Sequence, residues 1–246
     1  MHSIIFYDTM IALYKYVLVN PFLRIYFYLE RGLNMDITEQ DSITEINELM
    51  LKNEFAKQLL ETQLNILIKE FEYNNHYNPV EHVKSRIKSE KSIREKLNKK
   101  GYEYNVHNLR SHVHDIVGIR IVCSFLSDVY DIVNMIKNSE QFKLVAEKDY
   151  IENPKDSGYI SYHLIVLVPV YLNNDTEYIE AEIQIRTIAM DFWASIDHKI
   201  QYKFAEAPKE VQDELYQCSL DIKALDNRMN QLNRIIHKYE NTKDNS

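Results

Sequence analysis

Glycine and proline are scarce in this chain of 246 residues, four and five respectively, and there are only two cysteines. With so few glycines, no Walker-type phosphate loop and no GxGxxG turn can be written, which removes the nucleotide folds built on them. Cys123 and Cys218 stand far apart, outside any CxxC pair or Cys/His group at zinc spacing. They point to a reduced, cytoplasmic protein. No HExxH pair and no nucleophile-elbow sequence occurs, which argues against a zinc hydrolase or a serine hydrolase of that kind. Long uncharged runs are missing too: Asp8, Lys15, Arg24, Glu30 and Arg31 interrupt the apolar N-terminus. Its longest uncharged stretch falls far short of the ~20 residues a membrane span needs, and it lacks the basic leader and cleavage site of a secretory signal.

What the chain does have is 45% hydrophobic residues, with 18 tyrosines and nine phenylalanines, enough for a real core built from long regular elements. The net charge of −8 excludes a general nucleic-acid coat protein. Against that background, residues 82–100 (HVKSRIKSEKSIREKLNKK) hold eight Lys/Arg and two acids, a local charge of +6. The positive charge is therefore gathered in one segment.

Residues 1–34 are aromatic and aliphatic without a clear period. They read either as sequence upstream of a normal start at Met35 or as an added helix. From Ser42 the pattern is helical: Ser42 and Glu45 have capping-box spacing, and Leu49, Ala56, Leu60, Leu64, Leu67 and Phe71 follow at three- and four-residue steps. Beyond the basic segment, Val117–Phe125 reads as a buried strand, Ser127 as the cap of a helix through Lys137, and Phe142–Tyr150 and Tyr162–Val170 as further strands. Asn173-Asn174-Asp175 is a turn into a fourth strand. There Tyr178, Ile179, Ile183 and Ile185 supply an apolar face, and Glu180, Glu182, Gln184 and Arg186 a polar one at period two. Thr187 to about Phe204 reads as a helix, and Pro208 introduces a last helix to about Tyr239. That last helix has a stripe of Leu215, Ile222, Leu225, Met229, Leu232 and Ile236 suited to packing on a neighbour.

Arg86, Lys88, Ser92 and Lys96 follow one another in the basic segment, with Lys99 and Lys100 beyond. If a helix starts near Ser89 or Ser92, Ser92 and Lys96 share a face and the positive helix end lies beside Arg86 and Lys88, a geometry that grips polyphosphate. The alternative is a solvated lysine-rich helix face. Asp115 and Glu182 are candidates for magnesium, since that ion is commonly held by one or two carboxylates together with substrate phosphates; either could equally be a surface acid. His107, His112 and His114, next to Asp115, invite a metal reading, but with no cysteine nearby and no HExxH pair they read as solvated or locally hydrogen-bonded histidines.

Taken in order, Arg86-Ile87-Lys88 with Ser92-Ile93 and Lys96, Asp115-Ile116-Val117-Gly118-Ile119-Arg120, Asp149-Tyr150-Ile151 with Lys155, Gly158-Tyr159, Ser161-Tyr162-His163, Glu182-Ile183-Gln184-Ile185-Arg186-Thr187 and Phe192-Trp193-Ala194 resemble the RelA/SpoT-type synthetase domain. The likeness runs over roughly residues 75–205. It divides the chain into an extension (1–34), an N-terminal helical region (35–74), the synthetase domain (75–205) and C-terminal helices (206–246). The chain is similar to the stand-alone small alarmone synthetases. The resemblance implies an α+β fold, a mixed β-sheet flanked by helices and related to the nucleotidyltransferases. It also implies Mg²⁺-dependent transfer of the pyrophosphoryl group of ATP to the 3′-hydroxyl of GDP or GTP.

By the same resemblance, Arg86 and Arg120 sandwich adenine, and Lys88, Ser92, Lys96 and Lys99 hold the ATP phosphates. Asp115 and Glu182 bind the metal, with Glu182 also as general base. Tyr159 stacks on guanine, and Lys148, Lys155, His163 and Gln184 position the acceptor. A homotetramer through the C-terminal helices and a (p)ppGpp effector pocket are further implications. There are departures from the family: Asp197 stands where Glu is frequent, Lys148 where Arg is frequent, and His82, Lys84 and Asp191 differ near the effector pocket. A rival reading keeps the fold as a silent regulator that binds nucleotides or single-stranded RNA. Asp115, Glu182 and Tyr159 occurring together favour the enzyme, because a binding module has no need of a base.

Overall fold

The computed structural model describes residues 37–204 and 207–243, so the expectation for residues 1–34 lies outside the described residues. The described residues divide into two units, 37–51 with 105–107, and 52–104 with 108–204 and 207–243. Of the first, only the beginning of helix α1 and of the short helix α3 is described. The second contains the sheet and everything discussed below.

In chain order the elements are α1 (Ile37–Asn75), β1 (Val80–Ile87), α2 (Glu90–Lys99), α3 (Val106–His112), β2 (Val117–Cys123), α4 (Leu126–Lys137), β3 (Lys143–Asp149), β4 (Tyr162–Tyr171), β5 (Thr176–Thr187), α5 (Ile188–Lys203) and α6 (Lys209–Lys243). The five strands form one mixed sheet in the order β1-β2-β5-β4-β3, with β2 and β5 parallel and the other neighbours antiparallel. This is the α+β arrangement expected.

One face of the sheet is the core. Ile119 and Ile121 of β2, Leu164 and Val166 of β4, and Ala181, Ile183 and Ile185 of β5 are buried there. They cluster with Ala56, Leu60, Leu64 and Ile68 of α1 and with Val129, Ile132, Val133 and Ile136 of α4. Fully burying an aliphatic side chain contributes about 1.5–3 kcal/mol, so this layer fixes which face of each strand turns inward. Because side chains alternate, the opposite face is then left to the polar residues of the same strands.

Some local readings change. Residues 80–87 form a strand that the sequence pattern did not reveal. Tyr178 is not on the apolar face of β5: period two places it with Glu180 and Glu182, and it is 62% exposed. Helix α4 starts one residue before Ser127. The carboxylate of Asp128 caps it by accepting from the Phe125 N–H at 3.0 Å, and it also accepts from the Tyr77 hydroxyl at 2.9 Å.

Helix α6 is polar where it meets the body. Ser219, Asp226 and Asn233 are buried, whereas Leu225, Met229, Leu232 and Ile236 of the expected stripe are exposed, together with Leu220 and Ile235. The Trp193 indole donates to the Leu215 carbonyl at 2.8 Å, Asn230 accepts from the Ser127 N–H at 3.1 Å, and Asp226 accepts from the Thr187 hydroxyl at 2.7 Å. Thr187 in turn caps α5 by accepting from the Met190 N–H. Among the described residues no helix is long and apolar enough to cross a membrane.

Burial raises the pKa of Asp226, opposed only in part by the Thr187 hydrogen bond. A carboxyl whose pKa is raised in the fold contributes stability that is full below its unfolded pKa and is lost as pH rises through the folded value. Asp226→Asn should therefore raise Tm relative to wild type at pH 7, with the gain shrinking as pH falls through the carboxylate range. Thermal melts of both proteins across that range check this; a pH-independent difference would count against it.

Candidate functional site

The register of the sheet builds the site row by row. Lys84 pairs with Arg120, Arg120 with Gln184, Gln184 with His163, and His163 with Lys148, a polar row that crosses all five strands. The next row runs Arg86, Gly118, Glu182. Above these rows lies a cavity of about 780 Å³ lined by Arg86, Lys96, Asp115, Arg120, Lys155, Tyr159, His163, Glu182 and Gln184, with Arg186, Asp197 and His198 at its α5 side. Nine of the expected site residues thus come together.

The basic segment supplies one wall. Ser89 is the N-cap of α2, its hydroxyl accepting from the Ser92 N–H at 3.3 Å, so the helix begins directly after Lys88. Lys96, two turns in, and Lys88, just outside, both reach Asp115. Their ammonium groups lie 2.7 and 2.9 Å from its two oxygens. Burial by itself would raise the Asp115 carboxyl, but the hydrogen bonds and charges of Lys96 and Lys88 outweigh it and hold the group below the usual carboxylate range. Ser92 sits in the first turn of α2 with its hydroxyl 2.9 Å from that of Ser89. Lys99 is exposed in the last turn, and Lys148 is exposed on β3; neither lines the cavity.

Glu182 is held from both sides. One oxygen lies 3.1 Å from His163 Nδ1 and the other accepts from the Gln184 amide at 2.7 Å. Burial would raise this carboxyl, and the His163 and Gln184 bonds more than offset it, leaving it below the usual range. A carboxylate has about four lone-pair sites, so two remain for a further proton or cation. His163 Nε2 lies 2.8 Å from the Tyr159 hydroxyl, which itself accepts from Arg186. These links are mutually consistent with Tyr159 donating to Nε2 and the Nδ1–H donating to Glu182.

Tyr159 is presented by the loop between β3 and β4. The Asp149 carboxylate accepts from the Ile151 and Glu152 N–H groups, both at 2.9 Å, and turns the chain away from β3. Gly158, at φ +86°, returns it: its N–H donates to the Lys155 carbonyl at 2.8 Å, and a Cβ there would lie 2.4 Å from the Ser219 hydroxyl oxygen of α6. Both the backbone conformation and the space require glycine. The Lys155 ammonium lies 4.7 Å from the ring centres of Tyr150 and Tyr159. Burial raises the Tyr159 pKa against the opposing charge of Arg186, so the group is a neutral phenol.

Sequence reasoning placed Arg186 on the polar face of β5 but gave it no part in the site. It is 3% exposed and donates to Ser161, Gln184, Asp191 and Tyr159. Period two located it, and only the fold reveals that it is buried. Two of the histidines that invite a zinc reading are engaged locally, His112 stacked on Tyr102 with ring centres 3.8 Å apart and His114 on Glu180 at 2.5 Å. Among the described residues no group of three or more His, Cys, Asp or Glu could by itself hold a metal. Asp115 and Glu182 on one cavity are instead a hard-oxygen pair suited to an ion that shares its ligands with a substrate's phosphates.

Residues 85–207 match the family model described as a region found in RelA / SpoT proteins. The chain is 45% identical over 203 residues to the GTP pyrophosphokinase YwaC of Bacillus subtilis, covering 80% of this chain and 96% of that protein. It is similar in structure to the small alarmone synthetase 2 of Bacillus subtilis, with a TM-score of 0.70 at 46% identity, covering 77% of this chain and 98% of that one. The small alarmone synthetase 1 of the same organism, bound to its product pppGpp, gives 0.72 at 33% identity over 77% of this chain and 97% of that one.

The lysine clamp on Asp115 makes a prediction independent of any ligand. In the unliganded protein, Lys96→Met should move the Asp115 carboxyl titration upward, because the opposing effect of burial stays while the largest lowering contribution goes. Carbon-detected NMR of the side-chain carboxyl measures this. An unchanged or lower pKa would contradict the clamp.

Proposed function

The chain belongs to the RelA/SpoT family, and we propose that its cavity transfers the pyrophosphoryl group of ATP to the 3′-hydroxyl of GDP or GTP, releasing AMP and making guanosine tetra- or pentaphosphate. The observation that carries this reading is the convergence of Asp115, Glu182 and Tyr159 on one cavity beside the basic start of α2.

ATP lies over β1 and β2, its adenine between Arg86 and Arg120. Its phosphates lie toward the N-terminus of α2, where Ser92 and the helix dipole favour negative charge. Lys88 and Lys96 hold Asp115 in the free protein and pass to the phosphates when ATP enters, with Lys99 further along the same helix. The guanine stacks on Tyr159, and Lys148, Lys155, His163 and Gln184 surround the acceptor. Asp115 and Glu182 would hold Mg²⁺, which when bound neutralises phosphate charge. Glu182, fixed by His163 and Gln184, takes the proton of the 3′-hydroxyl as its oxygen attacks the β-phosphorus of ATP. The bond from that phosphorus to the α–β bridging oxygen breaks, and the electrons leave with AMP. Alignment and charge neutralisation are what phosphoryl transfer asks of a protein, and this arrangement supplies both.

The exposed row Leu225, Met229, Leu232 and Ile236 on α6 supports assembly with copies of the same chain, as a homotetramer. Its free cysteines, one buried and one exposed, suit the reducing cytoplasm. Lys84 and Asp191, which differ from the family near its effector pocket, face Arg120 here, Lys84 as its strand partner and Asp191 as its ion pair.

Incubation with γ-labelled ATP, magnesium and GDP or GTP tests the reading. The label should move into a guanosine tetra- or pentaphosphate and should stay in ATP when the metal is chelated. Label that remains in ATP or leaves as free phosphate in the complete mixture would overturn the proposal. Glu182→Gln should lower transfer by at least ~10²–10⁴-fold, the range for general-base catalysis, while an ATP analogue with a methylene α–β bridge still binds in a titration. Normal turnover by that variant would remove Glu182 from its role.

A further inference from the structure

Between two arginines that line the cavity lies a carboxylate that the mechanism above does not use. Asp191 lies in the first turn of α5, and a single oxygen of its side chain is 3.0 Å from Arg120 and 3.2 Å from Arg186. It is largely buried, its side chain 14% exposed. Its position is set by the helix start: Thr187 caps α5 and is itself tied to Asp226.

The two arginines belong to different halves of the site. Arg120 is on β2, beside Arg86, on the side given to ATP. Arg186 ends β5 and spends its remaining donors on Ser161, the Gln184 amide oxygen and the Tyr159 hydroxyl, all on the acceptor side. Arg186 thus sets both the stacking ring and the amide that holds Glu182. The two guanidinium groups repel each other, and Arg120 has in addition a buried Nε without a partner among the described residues. The Asp191 carboxylate is the counter-charge that both of them share.

We infer that Asp191 is a positioning residue that couples the two nucleotide subsites: a nucleotide that fixes Arg120 also fixes Asp191, and through it Arg186, Tyr159 and Gln184. This inference rests on the assignment of ATP to the Arg120 side and of the guanine nucleotide to the Tyr159 side. Coupling of this kind is reciprocal, so each nucleotide tightens the other by the same factor.

Calorimetric titration of the full chain with the α,β-methylene ATP analogue, with and without saturating GDP, and of GDP with and without the analogue, tests it. Wild type should show mutual tightening of about fivefold or more, the low end of measured couplings. Asp191→Ala should bring that factor close to one. The isosteric Asp191→Asn, which keeps a neutral acceptor and the packing of α5, should retain part of it. A residue that only supports the fold would lower both affinities and leave their ratio untouched. Independent binding in wild type, or wild-type coupling in both variants, overturns the inference. A wild-type protein that transfers label and yet binds its nucleotides independently defeats this inference alone and leaves the functional reading standing.

Discussion

The parallel pairing of β2 with β5 is the constraint from which the site follows. It sets Gly118 beside Glu182 and Arg120 beside Gln184, and the antiparallel neighbours then extend the row to Lys84 on one side and to His163 and Lys148 on the other. A slip of one residue would turn Ile183 and Ile185 outward and bury Glu182 and Gln184 against α1 and α4. The aliphatic layer on the inner face forbids that slip, so the same burial that stabilises the sheet also aims its polar residues. The geometry of Arg86, Arg120, His163, Glu182 and Gln184 is thus a by-product of core packing.

Electrostatics then determine what the face can do. The acidic chain concentrates its positive charge around α2, and the two lysines nearest the sheet already hold a carboxylate. Asp115 is therefore charged but neutralised in the free protein, and an ion approaching it alone meets two ammonium groups. On the proposed function a polyphosphate removes that obstacle by taking the lysines. Glu182 is anchored differently, by His163 on one oxygen and the Gln184 amide on the other, which leaves it oriented with lone pairs still open. The two carboxylates share a cavity and differ in their partners, which is what the proposed division between a phosphate-side role and a base rests on.

Much of this was legible in the sequence, and what was not has identifiable causes. The alternation Ile179, Ile183, Ile185 against Glu180, Glu182, Gln184 gave β5 and its functional face. Tyr178 was misplaced because an aromatic ring was counted as apolar, although the period assigned it to the polar side. Strand β1 went unseen because Val80–Ile87 includes Glu81, Lys84 and Arg86; its outer side chains belong to the site, so its charge pattern reflects function and hides the strand. A helix start near Ser89 or Ser92 is legible in the sequence as a condition for phosphate binding, and the fold makes Ser89 its cap. The clamp of Lys88 and Lys96 on Asp115 spans 27 and 19 positions. No local pattern reports such a pairing. Arg186 and Asp191 lie five residues apart across the end of β5 and the start of α5, and only the fold turns that junction into a bridge.

On the proposed function two nucleotides lie at opposite ends of the polar face, with Glu182 of the central strand β5 between them. Photo-crosslinking measures this directly: 8-azido-ATP and 8-azido-GDP are each irradiated with the protein, and the labelled peptides are mapped by mass spectrometry. The account predicts that the adenine probe labels peptides of β1 and β2 containing Arg86 or Arg120, and that the guanine probe labels the peptide containing Tyr159. Both probes on the same peptides, or the reverse assignment, would contradict it.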